Sequence, residues 1–172
     1  GAIVPNTARH DVGEIVGSAL RRAGKILLHH KVSLELGPNL PMLELDAVLF
    51  EQVLFNLLDN AAKYAPADTT ISIRGVRDRE QVTLQIVDEG HGIPQVELES
   101  VFDKFYRAQK GDHVRPGTGL GLAISRGFVE AARAVGNPRW RIVFVHILPN
   151  IMPALLVQAT LSIAAAIIVE AA

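Results

Sequence analysis

Asn56, Asn60 and Lys63 stand at i, i+4 and i+7 in "EQVLFNLLDNAAKY", so a helix through this segment puts them on one face. Asparagines in mid-helix cost propensity, because their amides compete with the backbone. Such a face can simply be solvated. Paired carbonyl oxygens with a lysine one turn on can instead hold a hydrated Mg²⁺ and a phosphate, since magnesium takes few protein oxygens and keeps its waters. A second constellation is "VDEGHGIP", where the alternating Val82, Leu84 and Ile86 run into Asp88, followed by Gly90 and Gly92. One reading is a turn closed by an Asx-type hydrogen bond. The other has Asp88 accepting from an exocyclic amine such as the 6-amino group of adenine, with the glycines leaving room for a flat ring. "DEG" is not the magnesium-binding DFG of protein kinases, because neither the HRD loop nor the lysine-bearing strand accompanies it. A third is "RPGTGLGLAIS", which sets Gly117, Gly119 and Gly121 before a helix beginning near Leu120. Glycine-rich backbone entering a helix N-terminus presents amide N–H groups and a positive dipole end, which suit phosphate. The spacing is neither the Walker pattern nor the dinucleotide fingerprint.

The elements that must position these residues follow from hydrophobic period. "DVGEIVGSALRRAGKILLHH" carries Val12, Ile15, Val16, Ala19, Leu20, Ala23, Ile26 and Leu27 at helical spacing and predicts an amphipathic helix. "KVSLEL" alternates as a strand, and "GPNLP" is a loop. Asp46 is a good N-cap for a helix over "DAVLFEQVLFNLLDNAAKY", whose apolar stripe is Phe50, Val53, Leu54, Leu57, Leu58 and Ala61. "TTISIRGV" and "EQVTLQIVD" alternate with period two and predict an antiparallel hairpin. "VFDKFYRAQKGDHVRPGT" then anchors Phe102 and Phe105 ahead of a polar loop long enough to serve as a mobile lid over a triphosphate. The expected fold class is α+β, an α/β sandwich with a mixed, largely antiparallel sheet and helices packed on one face.

Composition narrows the function classes. The chain has 172 residues, enough for one domain with a sizeable core, and 17 basic against 18 acidic side chains leave a net charge of −1. No nucleic-acid partner is indicated by that balance. The absence of cysteine excludes disulfides and thiolate metal sites. "GAIVPNTARHDVGEIV" lacks the basic segment, apolar run and cleavage site of a signal peptide.

Four motifs in order, an Asn-bearing helix, an Asp-x-Gly-x-Gly strand end, a Phe pair and a Gly-x-Gly-x-Gly helix start, resemble the ATP-binding catalytic domain of bacterial sensor histidine kinases. The resemblance spans residues from about 11 to 130, lies within the larger group containing the gyrase-type ATPases, and implies the Bergerat-type ATP-binding fold with ATP and Mg²⁺. It implies an N box with Asn56 and Asn60 at Mg²⁺ and phosphate and Lys63 at phosphate, Asn56 and Lys63 being the catalytic positions. It also implies nucleotide contacts from Tyr64, from Asp88, Gly90, Gly92 and Ile93, from Phe105 and Arg107, and from Gly117, Thr118, Gly119, Leu120 and Gly121. Within the family, "RPGTGLGLAISRGFVEA" and the N box are most similar to the Kdp potassium-responsive sensor kinases. In the gyrase-type ATPases a glutamate serves as general base where Asn56 stands here, and an amide cannot take that proton. The resemblance therefore implies protein-histidine kinase activity rather than hydrolysis. The phosphoacceptor histidine would lie on a separate helical-hairpin domain, since no histidine here has the acidic neighbour and following Thr-Pro or Asn-Pro. His10 continues into "DVGEIV", and His29 and His30 are expected at the surface. Other implied features are a response regulator as partner, and a cytoplasmic domain whose parent protein is anchored in the bacterial inner membrane.

The kinase resemblance fades after Ala131. "EAARAVGNPRWRIVFVHILPN" resembles the cytoplasmic coupling loop of peptide-type ABC transporter permeases, which divides the chain into a domain over 1–131 and an atypical segment over 132–172. "IMPALLVQATLSIAAAIIV", Ile151 to Val169, is an uncharged, mostly apolar run that just reaches the roughly 18-residue length of a membrane span. It is expected to pack on the domain or a neighbouring chain, exchange of the segment between two copies included, with a membrane helix as the alternative. The alternating "RWRIVFVHIL" predicts Arg141 to Leu148 as a strand replacing the family's missing closing strand. Two further readings stay open: a membrane or transporter-interaction protein, and a catalytically inactive nucleotide-binding remnant.

Overall fold

The computed structural model describes residues 6–78, 81–106, 118–134, 143–145 and 159–166. Its elements in chain order are β1 (Ala8–His10), α1 (Val12–Ala23), β2 (Lys31–Leu36), β3 (Leu43–Leu45), α2 (Ala47–Tyr64), β4 (Thr70–Asp78), β5 (Gln81–Asp88), α3 (Gly121–Ala134), β6 (Val143–Val145) and β7 (Ala159–Ala166). A five-stranded sheet has the order β2-β4-β5-β7-β6. Only β2 and β4 run parallel, and the other neighbours are antiparallel. The mixed, largely antiparallel sheet is the expected fold class. β1 and β3, which flank β2 in sequence, form a separate antiparallel pair.

Helix α1 starts where Asp11 accepts the Glu14 N–H at 3.1 Å, an N-cap, and it buries Val12, Ile15, Val16, Ala19 and Ala23. The expected helix extends to His30, but the observed one stops at Ala23. Gly24 has low helix propensity, and the chain tightens into turns through Ile26 N–H to Ala23 O at 3.0 Å and His30 N–H to Leu27 O at 2.9 Å. These turns still carry Leu27 into the core and leave Leu28 exposed. Helix α2 opens on Asp46, whose carboxylate accepts from Val48 and Leu49, each at 3.0 Å. It ends at Tyr64 because Ala65, ahead of Pro66, is forced to extended backbone.

The core lies between these helices and one face of the sheet. Val53, Leu54, Leu57, Leu58 and Ala61 of α2 join the buried face of α1 and Ile71, Ile73, Val82, Leu84 and Ile86 of the hairpin. Burying each large side chain among them contributes about 1.5–3 kcal/mol. The hairpin register, Ile73 opposite Ile86 and Gly75 opposite Leu84, fixes where β5 ends and so where Asp88 stands.

The closing strands differ in part from expectation. Val143–Val145 does lie in the sheet, but the neighbour of β5 is β7, drawn from the apolar run, with Gln81 opposite Ala166 and Asp88 opposite Ala159. Residues 141, 142 and 146–148 of the expected strand are outside the described residues. The apolar run is strand over 159–166, and among the described residues no helix is long and apolar enough to cross a membrane.

Candidate nucleotide site

Asp88 sits at the end of β5, 6% exposed, at the close of a strand whose Val82, Leu84, Ile86 and Val87 are buried. Its Oδ1 accepts the Gly90 N–H at 2.7 Å. The turn reading and the acceptor reading are compatible, because the carboxylate has a second oxygen. Burial pushes the Asp88 carboxyl from 3.8 up to about 6, against the opposing pull of the Gly90 hydrogen bond and the nearby His30. A buried carboxyl with a raised pKa at a strand end makes Asp88 a candidate functional residue.

The two glycine segments meet α2 at different heights. A Cβ at Gly90 would lie 3.1 Å from the Tyr64 carbonyl oxygen and 2.6 Å from the Asp88 carboxylate, so only glycine lets this turn lie against the end of α2. Eight residues earlier, Asn56 Nδ2 donates to the Gly121 carbonyl at 3.1 Å and to Ser125 Oγ at 3.2 Å. At 1.5 Å per residue these contacts are about 12 Å apart along α2. Asn60 and Lys63 lie between or beside them.

Gly121 begins α3, whose first-turn N–H groups have no partner within the helix. The segment leading into it is held from the other side. Gly119 has φ of +67° and Phe105 φ of +65°, and the Phe105 N–H donates to the Gly119 carbonyl at 3.1 Å. A side chain at Gly119 would approach the Tyr106 carbonyl to 2.7 Å. The aromatic segment and the second glycine segment are thereby joined through backbone, with Arg126 over the Phe102 ring at 5.9 Å.

The other expected residues fall around this frame. Tyr64 and Phe105 are exposed, at 53% and 70%, Thr118 is exposed, and Gly92 with φ of +70°, Ile93 and Leu120 are half-buried. Asn60 is half-buried with no side-chain hydrogen bond to a described residue, whereas Lys63 pairs with Asp59. Arg107 and Gly117 lie outside the described residues, as do residues 107–117 of the loop expected to serve as a lid.

Residues that sequence spacing did not single out complete the site. Ser125 is fully buried and hydrogen-bonds the Gly121 carbonyl at 2.9 Å. Gln52 donates to Asn56 Oδ1 at 2.9 Å, at a helical i, i+4 spacing that could have been read. His30 corrects an expectation: His29 is exposed, but His30 is half-buried, with Nε2 3.1 Å from the Ala62 carbonyl and Nδ1 buried with no hydrogen-bond partner among the described residues. The turns after α1 fold it back against α2.

The chain belongs to the histidine kinase-, DNA gyrase B- and HSP90-like ATPase family, whose model matches residues 45–143. A second model, the binding-protein-dependent transport system inner membrane component, matches residues 120–172. The sensor protein KdpD of Clostridium acetobutylicum is 40% identical over 121 residues, 70% of this chain and 13% of that protein. The chain thus spans about an eighth of the curated relative's length. The mycobacterial sensor histidine kinase MprB structure superposes with a TM-score of 0.70 at 25% identity, covering 95% of this chain and 97% of that one. Full-length ShkA, solved in complex with AMPPNP, shares the fold with a TM-score of 0.74 at 18% identity, covering 96% of this chain and 32% of that one.

Proposed function

We propose that this domain binds ATP and delivers its γ-phosphoryl group to a histidine on a separate helical-hairpin domain of its parent sensor kinase. The observation that carries the reading is the buried Asp88 carboxylate at the end of β5, with one oxygen engaged by Gly90. Its remaining acceptor capacity suits the 6-amino group of adenine, with the ring over the Gly90–Gly92 turn and Ile93. About 12 Å along α2, the start of α3 offers Gly119, Leu120 and Gly121 to the phosphates, with Thr118 and Gly117 preceding them. Lys63 reaches phosphate by leaving Asp59, and Tyr64, Phe105 and Arg107 flank the nucleotide.

The residues present fit Mg²⁺ at Asn60. Its amide oxygen has no hydrogen-bond partner among the described residues, whereas Asn56 Oδ1 is taken up by Gln52. Asn60 would supply one ligand, with Asn56 in second place because it must first release Gln52. The ion would neutralise charge on the phosphates. Catalysis by this chain then rests on positioning and on helix-end amides, since Asn56 cannot remove a proton. The phosphorylated hairpin would pass the group to a response regulator. The parent would be anchored in the inner membrane with this domain on the cytoplasmic side, and its functional unit would be 1–131 with 132–172 as an appended segment.

The test mixes the purified chain with the phosphoacceptor hairpin of a Kdp-type sensor and γ-labelled ATP. Label on the hairpin histidine is expected, and none on the domain alone. Sustained Mg²⁺-dependent ATP hydrolysis without transfer would contradict the reading, and ATP binding without transfer would make the domain an inactive remnant.

A further inference from the structure

A continuous run of side-chain hydrogen bonds links α1, α2 and α3. Arg22, in the last turn of α1, donates from Nη2 to Gln52 Oε1 at 2.9 Å. Gln52 Nε2 donates to Asn56 Oδ1 at 2.9 Å. Asn56 Nδ2 then donates to the Gly121 carbonyl at 3.1 Å and to Ser125 Oγ at 3.2 Å, and Ser125 Oγ donates to the same carbonyl at 2.9 Å. Arg22 is itself held, by Glu51 at 3.7 Å and by the Phe55 ring at 4.3 Å, while Ser18 Oγ donates to Glu51 at 2.8 Å.

The run has a direction that its ends impose. A guanidinium can only donate, so Gln52 must turn its oxygen toward Arg22 and its NH₂ toward Asn56. A backbone carbonyl can only accept, so Asn56 must turn its NH₂ toward Gly121. Both requirements are met by one orientation of the two amides, which removes the ambiguity usual for Asn and Gln. The Asn56 carbonyl oxygen is consequently committed inside the protein, and the residue works as a clasp on the start of α3.

We infer that Arg22 is a positioning residue for the phosphate end of the site: through Gln52 and Asn56 it sets the polarity of the clasp that fixes Gly121 and, with it, the amides at the start of α3. The inference rests on the nucleotide reading of the site for its functional consequence, and on hydrogen-bond polarity alone for the clasp. Removing the cation lets Gln52 rotate and loosens the clasp. Replacing it with an acceptor opposes the clasp, because Gln52 then turns its oxygen toward Asn56 and two acceptors face each other.

The experiment uses the whole chain labelled with ¹⁵N, reading the Asn56 side-chain amide, assigned by its loss in Asn56→Ser, and the affinity for ADP by calorimetry. Arg22→Met, which keeps an apolar stem over Phe55, is expected to broaden or shift the Asn56 amide in the nucleotide-free protein and weaken ADP about three- to tenfold, the scale of one hydrogen bond. Arg22→Glu is expected to do more, and Arg22→Lys, still donor-only, to restore both readouts. An Asn56 amide unchanged in Arg22→Met and Arg22→Glu would overturn the inference, as would equal effects of Arg22→Met and Arg22→Lys, which would report only lost packing. A wild-type chain that binds no ADP refutes the nucleotide reading, while the amide spectrum still decides the clasp.

Discussion

Replacing Asp88 by Asn should stabilise the fold while damaging the site. The folded protein raises this carboxyl from 3.8 to about 6, so the folded state holds the proton more tightly than the unfolded chain. Stability is therefore unaffected by the group below about pH 3.8, falls as pH rises from there to about 6, and stays reduced above that. Roughly two pH units at 1.36 kcal/mol each put the cost of the ionised form near 3 kcal/mol at neutral pH. Asparagine keeps an oxygen for the Gly90 N–H and carries no charge, so Asp88→Asn removes most of that cost. A gain of about 2 kcal/mol raises Tm by roughly 4–8 °C in a domain of this size. Losing a charged acceptor for an adenine amine should weaken ADP on the order of thirtyfold, about 2 kcal/mol. Differential scanning calorimetry of both proteins between pH 4 and 8, with ADP titrations at pH 7.5, reads both effects. A Tm difference that does not grow between pH 4 and 6.5, or a less stable variant at pH 7.5, would refute the burial argument. Unchanged ADP affinity would remove Asp88 from the base site.

Gly119→Ala should cost about 1–3 kcal/mol in urea unfolding and abolish tight ADP binding, because a residue at φ +67° must also push against the Tyr106 carbonyl at 2.7 Å. Lys63→Gln should weaken a non-hydrolysable ATP analogue at least tenfold and ADP about threefold or less, since a lysine at the terminal phosphate discriminates between them. Comparable losses for both would move Lys63 away from that phosphate. Ending the chain after Ala134 removes β6 and β7 and leaves β5 with an unpaired edge, so size-exclusion chromatography should show association or a thermal scan a lower midpoint. A monomer as stable as the full chain would show that β7 contributes nothing to the fold.

Much of this molecule was readable because local chemistry and tertiary structure agree. Asp46 followed by the stripe from Phe50 to Ala61 predicts α2 correctly, and the alternation in 69–76 and 80–88 predicts the hairpin that delivers Asp88. Reading failed where apolar period continued past a breaker: Ile26 and Leu27 kept the helical pattern, but Gly24 ended α1, and the resulting turns carried His30 inward. Leu43–Leu45 is too short for alternation to be distinctive, so its pairing with β1 went unread. The polar clasp was hidden for another reason. Gln52 and Asn56 share a helix face legibly, but their partners Arg22 and Ser125 are remote in sequence, and only packing brings them together.

The strand that seals β5 also sets the order in which this protein can mature on the ribosome. β4 and β5 can pair as soon as both emerge, since only two residues separate them in sequence, but the flank of β5 that ends at Asp88 must wait for Ala159–Ala166. Until then the nascent chain presents an open strand that ends at Asp88, available to any other extended segment, including the same strand of a neighbouring nascent chain. Completion of the sheet thus waits until Ala159–Ala166 has emerged, and chaperone dependence should concentrate in the interval between synthesis of β5 and of β7.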